Sequence, residues 1–148
     1  MATVEVGAVE KVGKPGVGRL QCVVVTPERT LFDELVDFVA LPLYDGELGV
    51  LPGRTPLIGR LGFGELRTRS GGTTKIYFVD GGFAQIRDDV VTVLTNRAVP
   101  AADVDPSAAS HELEQAQTRH ATTEYDQDEK ARAVARARAQ LRVASHRA

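Results

Sequence analysis

Catalysis needs a nucleophile and its base, a set of metal ligands, or a cradle for phosphate, and each can be sought in these 148 residues. The three histidines, His111, His120 and His146, all fall after Pro100. His111 and His120 stand nine apart, whereas two ligands on one helical face stand three or four apart. No histidine precedes them, so a Ser/His/Asp device would have to join distant parts of the chain. Asp80-Gly81-Gly82 and Asp88-Asp89 offer carboxylates, but Asp and Gly at such density are what turns require. Two stretches are glycine-rich: Gly13-Lys14-Pro15-Gly16-Val17-Gly18, and DGELGVLPGRTPL from Asp45 to Leu57. A phosphate loop needs Gly, four residues, then Gly-Lys-Ser/Thr opening a helix. Here Gly53 is followed by Arg54 and then Thr55-Pro56, and both stretches lead into apolar runs that read as strands. Cys22 is the single cysteine and lies in LQCVVV. It excludes an internal disulfide and reads as a small buried hydrophobe in a strand. No residue set points to an active site or a metal, and no cofactor is expected.

The elements that would position these residues fall into two regimes. All fourteen glycines lie at or before Gly82, while thirteen alanines lie in Ala101–Ala148. Up to about Pro100 the chain carries short β-branched or aromatic runs, RLQCVVVT, ELVDFVAL, TTKIYFVD and DVVTVLTN, bounded by Gly, Pro or Asp. Such runs predict strands of a sandwich or barrel. In ELVDFVAL, the residues Val36, Phe38 and Ala40 are placed to share a face. Gly71-Gly72 predicts a tight hairpin, because glycine reaches positive φ at little cost. Asp88-Asp89 predicts another turn.

Beyond Pro100 the sequence predicts two helices. Asp105-Pro106 is a start signal, a capping carboxylate followed by a proline that wastes no amide. Ala109, Leu113, Ala116 and His120 then recur on one face. After a break at 120–123, Thr123 and Asp126 form a capping pair, and a second helix runs from about Glu124 to about Ser145. Val134, Ala137, Leu141 and Ala144 give it an apolar stripe. ARAVARARAQ alternates as a strand would, but Ala and Arg are strong helix formers. Acidic Glu124, Asp126, Asp128 and Glu129 precede basic Lys130, Arg132, Arg136, Arg138, Arg142 and Arg147, an order that suits the helix dipole. Large apolar side chains are few here, and each gains only about 1.5–3 kcal/mol on full burial. Backbone ordering opposes this at about 1–2 kcal/mol per residue. Weak docking of the helices is therefore expected.

The formal net charge of −2 gives no basic footprint for nucleic acid. No run approaches the ~18 apolar residues of a membrane span, so no direct membrane insertion is expected. MATVEVGAVEKVGKPGVG reads as a flexible leader rather than a signal or transit peptide.

Three blocks in register then carry a resemblance. DGELGVLPGRTPL with LGFGEL, FVDGGFAQIRDDVVTVLTNRA, and KARAVARARAQLRVA, spanning about Leu20 to Ala144, resemble the epsilon subunit of F-type ATP synthases (bacterial epsilon, mitochondrial delta). The resemblance implies a β-sandwich of about ten strands, followed by a C-terminal antiparallel α-helical hairpin. It divides the chain into a leader (1–18), a sandwich domain (19–99) and a hairpin domain (100–148). It implies a non-catalytic subunit of the rotating central stalk, with the sandwich bound to the gamma subunit and seated on the ring of c subunits, linking the two so that proton flow drives ATP synthesis. The helices would lie on the sandwich or extend toward the alpha and beta subunits and brake ATP hydrolysis. The place would be the cytoplasmic face of a bacterial inner membrane, as a peripheral protein. Glu47 matches an acidic position near the c-ring contact, and Arg54 stands where the family usually has His. The basic residues Arg132, Arg136, Arg138 and Arg142 become candidate partner contacts. Some bacterial members bind ATP through I/L-D-x-x-R-A. The matching Val104-Asp105-Pro106-Ser107-Ala108-Ala109 keeps Asp105 but has Ala108 in place of the arginine, so weak or absent ATP binding is expected. The alternative is a free-standing β-sandwich ligand-binding module with a helical oligomerisation tail. A hydrolase ranks far below both.

Overall fold

The structure is a computed structural model that describes residues 18–146. All of the expected leader except Gly18, and Arg147 at the end of the basic series, lie outside the described residues. Eight strands come first: β1 (Leu20–Val25), β2 (Thr30–Val36), β3 (Phe38–Leu43), β4 (Gly46–Val50), β5 (Leu57–Ser70), β6 (Thr73–Arg87), β7 (Val90–Leu94) and β8 (Ala98–Pro100). A 3-10 turn (Ala101–Asp103) leads to two helices, α1 (Pro106–Thr118) and α2 (Glu124–Ser145).

The strands hydrogen-bond in the order β2-β1-β7-β6-β5-β3-β4, with β8 alongside β6. All pairs are antiparallel except β1 with β7. The sheet has eight strands, not the expected ten, and the reason is the length of β5 and β6. The far half of β6 (Phe83–Arg87) pairs with β7, while its near half (Tyr77–Val79) pairs with β8. The change of partner falls at Gly81 and Gly82, whose φ values are +69° and +109°. Positive φ turns the strand there without ending it, so β5 and β6 each serve both layers of the sandwich. Between the layers lies the main core, including Leu20, Cys22, Val24, Leu41, Val50, Leu61, Leu66, Val79, Ile86 and Val93.

The run ELVDFVAL is not one strand. Asp37 divides it: its N–H donates to the Arg69 carbonyl at 2.7 Å, and its carboxylate accepts from the Gly71 N–H at 2.8 Å. A short polar side chain bonded to backbone draws the chain out of the ladder. Val36 thus belongs to β2, opposite Leu20, and Phe38 and Ala40 to β3, so the three do not share one strand face. The turns fall where expected. Gly71 has φ +58°, and Asp88 and Asp89 have φ of +51° and +61°, a two-residue turn with both residues left-handed. Asp89 Oδ1 also accepts from the Gly53 N–H at 2.7 Å, which pins the Pro-Gly corner of DGELGVLPGRTPL.

Asp105 caps α1, its Oδ1 accepting from the amides of Ser107 (2.9 Å) and Ala108 (3.3 Å). Thr123 caps α2 by accepting from the Asp126 N–H at 3.1 Å. Ala109 and Ala116 of α1 are buried, but the helix ends at Thr118, which leaves His120 exposed beyond it. The two helices pack on each other, and Gln140 Nε2 donates to Glu112 Oε2 at 3.2 Å. Of the expected stripe of α2, Val134 and Leu141 are only partly buried. Ala137 and Ala144 are buried as expected, and so are Ala139, Gln140 and Val143. The extra positions exist because α2 also packs on the sheet. Ala139, Val143 and Ala144 meet Phe78, Ala101 and Val104 in a second, smaller cluster.

Candidate functional site

The candidate site residues separate into three places. Glu47 lies on β4, just past the Asp45-Gly46 turn. Its register neighbour is Pro42 on β3, next to which runs β5. Arg67 on β5 reaches it with two hydrogen bonds, Nη2 to Oε1 at 2.7 Å and Nη1 to Oε2 at 3.3 Å. The Glu47 hydrogen bond pushes the Arg67 guanidinium above its ordinary range, and the charges of Glu47 and Glu65 add to this. Glu47 remains half exposed, so its fork with Arg67 is a surface pair that a partner can reach. Arg54 is exposed in the loop between β4 and β5, and among the described residues it forms no ion pair. The structure does not bring Glu47 and Arg54 into contact.

The four candidate arginines of α2 do not act alike. Arg136 turns inward. Its Nε donates to Asp80 Oδ1 at 3.2 Å, and its guanidinium lies 4.9 Å from the ring centre of Phe63. Arg132 pairs with Glu129 one turn back at 3.5 Å. Arg138 and Arg142 are exposed and, among the described residues, form no ion pair. Sequence spacing placed all four on one helix but could not show which of them the sandwich claims.

Asp105 spends its carboxylate on the α1 cap, and Ala108 beside it donates only its amide. A cavity of about 240 Å3 between the helices is lined by Glu112, Gln115, Ala116, Arg119, Ala133 and Arg136, and Asp105 is not part of it. Cys22 is buried in the core, where burial pushes its thiol up to about 12, with Glu34 and Asp33 adding to the effect. A thiol held in that state is not a nucleophile at neutral pH. Among the described residues no group of His, Cys, Asp and Glu could hold a metal, and no helix is long and apolar enough to cross a membrane.

Sequence reasoning missed a row of exposed apolar side chains. Ile58, Phe83 and Leu94 are exposed, as is Tyr44 in the β3–β4 turn. The register sets Arg60 opposite Phe83 and Phe83 opposite Leu94, and the Arg60 guanidinium lies 4.5 Å from the Tyr44 ring centre. The result is one row across the sheet. An open groove of about 640 Å3 runs beside it, lined in part by Val25, Pro27, Arg60, Phe83 and Leu94. Ala84, Ile86, Val91 and Val93 alternate with the row and face the core, so the row points outward. α2 packs on the other part of β5 and β6, against Phe63, Ile76 and Phe78. The available signal was that GFAQIR and VVTVL alternate with apolar residues on both faces of the strand.

Among the described residues the features that stand out are an exposed apolar row on the sandwich, a packed helical pair and surface ion pairs. Comparison with known proteins gives the family. The model described as "ATP synthase, Delta/Epsilon chain, beta-sandwich domain" matches residues 19–101. The ATP synthase epsilon chain of Rhodopirellula baltica is 53% identical over 124 residues, which cover 84% of this chain and 97% of that one. The chain belongs to the ATP synthase delta/epsilon chain family. Its fold matches a chain in the cryo-EM structure of the Euglena gracilis mitochondrial ATP synthase, OSCP/F1/c-ring, with TM-score 0.78 and 25% identity over 90% of this chain and 84% of that one. It also matches, in fold alone, a chain of the Tetrahymena thermophila mitochondrial ATP synthase central stalk and c-ring, with TM-score 0.67 and 13% identity over 84% of this chain and 96% of that one.

Proposed function

We propose that this chain is the epsilon subunit of the central stalk of a bacterial F-type ATP synthase, non-catalytic, joining the gamma subunit to the c-ring so that proton flow is coupled to ATP synthesis. The observation that carries the reading is the outward row of Tyr44, Ile58, Phe83 and Leu94 with the groove beside it. Large exposed apolar side chains in one contiguous patch mark a protein interface, and gamma is the partner assigned to it in this reading. The Glu47–Arg67 fork, with Arg54 on the neighbouring loop, is assigned to the c-ring side. The subunit would sit at the cytoplasmic face of the inner membrane, held there by the complex. The sandwich would comprise residues 19–99.

We further infer that residues 100–148 act as an antiparallel hairpin that can leave the sandwich and brake ATP hydrolysis through the alpha and beta subunits. The support is that Arg138 and Arg142 are exposed and unpaired among the described residues while the helix lies docked. These two arginines are the first contacts for an acidic partner, and undocking would add Arg136. No nucleotide enters this reading, because Asp105 is committed to its cap and Ala108 offers no cation.

Binding of purified chain to the cognate gamma subunit tests the first part. The Phe83→Glu variant should lose co-purification while keeping its fold, and undiminished binding would sink the assignment of this face. The second part is read from ATP hydrolysis by the alpha–beta–gamma core with full-length chain or with a version ending at Pro100. If both bind and neither slows hydrolysis, the helices are no brake. If neither binds, the free-standing module becomes the better account. Saturable chemical-shift changes around Asp105 with millimolar ATP would overturn the nucleotide statement.

A further inference from the structure

The outward face of β5, β6, β7 and β1 carries apolar rows with one cation set among them. Arg60 stands opposite Phe83, Phe83 opposite Leu94, and Leu94 opposite Val25, so one row crosses from β5 to β1. Two residues along each strand lies the next row on the same face, Ile58, Gln85, Thr92 and Val23. Among these side chains Arg60 is the single charged group.

The chain holds this cation in place without neutralising it. The Tyr44 N–H donates to the Arg60 carbonyl at 2.7 Å, which sets the β3–β4 turn beside β5 at this residue. The Arg60 guanidinium then lies 4.5 Å from the Tyr44 ring centre. Stacking on a ring orients the planar guanidinium but supplies no counter-charge. Asp45 beside Tyr44 and Glu28 beside Pro27 are exposed, yet among the described residues Arg60 forms no ion pair. The other polar side chains of the groove are bonded within the chain. Thr26 Oγ1 donates to the Arg29 carbonyl at 3.1 Å, Thr95 Oγ1 to the Arg97 carbonyl at 3.2 Å, and Asn96 Nδ2 to the Asp80 carbonyl at 3.3 Å. The electrostatic demand of the surface therefore falls on Arg60. A partner that covers Phe83 and Leu94 also covers the guanidinium between them and Tyr44. Covering a charge without a counter-charge is costly, whereas a carboxylate can meet a guanidinium with two parallel bonds.

We propose that this face takes an apolar segment bearing one carboxylate, which closes on Arg60, and that this pair decides which partner is accepted. The proposal rests on the reading that gamma covers the row, and it adds the chemistry of the gamma segment. Aliphatic or aromatic side chains lie against Ile58, Phe83 and Leu94, and an Asp or Glu meets the guanidinium held over Tyr44. A segment with a neutral or basic residue at that place is refused, because it leaves the cation unpaired or opposes it.

Binding of the full-length chain to the cognate gamma subunit, followed as association and dissociation rates, tests the pair. Arg60→Gln should weaken binding about tenfold or more, because it leaves the partner carboxylate covered and unpaired. Arg60→Glu should abolish binding, and one carboxylate-to-lysine change in gamma should restore it. Between about 0.05 and 0.5 M salt the affinity of the unaltered chain should fall more steeply than that of Arg60→Gln, a difference that a merely structural role would not produce. Coincident circular-dichroism melts of the three chains establish that the fold is kept. If Phe83→Glu loses binding while Arg60→Gln binds as the unaltered chain does at every salt concentration, the face stands and the proposal is overturned. If no change in gamma rescues Arg60→Glu, the proposal is likewise overturned. If Phe83→Glu binds undiminished, the gamma reading of this face fails and the proposal falls with it.

Discussion

The two seams of this molecule are filled differently. Between the sandwich layers, Leu20, Leu41, Leu61, Leu66 and Ile86 lie essentially without solvent, packed among Val24, Val39, Val50 and Val79. Between sheet and helix, α2 contributes Ala139, Val143 and Ala144, and the rim is made of polar ties, the Arg136–Asp80 ion pair and the His146–Glu65 hydrogen bond. A fully buried leucine gains about 1.5–3 kcal/mol, and an alanine much less. Half-exposed ion pairs add about 0–1 kcal/mol each. The first seam cannot be opened without unfolding the sandwich. The second is held by far less apolar burial.

The strongest way to break this distinction is at the bend that makes two layers from one sheet. A Cβ on Gly82 would lie 1.9 Å from the Leu94 carbonyl oxygen, and the φ of +109° already excludes most side chains. Gly82→Ala should cost about 3–5 kcal/mol and melt strands and helices together in a circular-dichroism scan. Selective loss of helix would show that the helices depend on this bend more than the sandwich does, reversing the expected order. Next comes a matched pair of truncations. Leu66→Ala removes a fully buried side chain from the main core and should lower the stability of the whole chain by about 2–5 kcal/mol. Val143→Ala, in the small seam, should lower protection of α2 amides by about 1–2 kcal/mol and leave the denaturant midpoint of the strands in place. Equal shifts of every amide in both variants would mean a single cooperative unit.

Cys22 sharpens the comparison through pH. Its thiol is pushed up to about 12 by burial. A raised folded value means that the unfolded chain releases its proton first as pH rises. The associated stability is complete below the unfolded value, about 8.5, and is lost as pH climbs toward 12, by up to about 1.4 kcal/mol per pH unit. Urea midpoints should therefore fall above about pH 9, and Cys22→Ala should remove that part of the slope while lowering stability at neutral pH. A midpoint that falls identically in both chains would place the alkaline sensitivity elsewhere.

What could be read from the sequence follows the range of the forces involved. Turns and caps are decided by neighbours, so Gly71-Gly72, Asp88-Asp89, Asp105-Pro106 and the bounds Glu124–Ser145 were legible. The strand-like alternation of ARAVARARAQ yielded to helix propensity, as expected. Asp37 breaks its strand by bonding Gly71 and meeting Arg19, thirty-four residues ahead and eighteen behind, which no local pattern contains. The continuity of β5 and β6 was hidden because glycines that usually end strands here bend them. At the candidate site, helical spacing placed Arg132, Arg136, Arg138 and Arg142 on one helix but did not separate the exposed from the captured. The capture of Arg136 by Asp80 and of His146 by Glu65 depends on docking across 56 and 81 residues.

The smallest effect probes the rim directly. Asp80→Asn keeps the shape of the side chain and its backbone bonds, Asp80 N–H to the Arg97 carbonyl at 3.0 Å among them, but removes the charge facing Arg136. The pair is partly exposed, with side-chain values of 38% for Arg136 and 18% for Asp80, so the loss should be only about 0.5–1 kcal/mol. It should appear in the α2 amides and not in those of β1 or β7. The guanidinium would keep its place over Phe63, which limits the loss further. Arg136→Lys should cost at least as much as Asp80→Asn, because a lysine neither stacks on the ring nor offers a planar fork. If lysine proved harmless, the tie would be a point-charge attraction without geometric demand, and Arg136 would be as free for a partner as Arg138 and Arg142 are. If it proved costly, the tie would demand the planar guanidinium held between Asp80 and Phe63, and the sandwich would keep Arg136 apart from Arg138 and Arg142.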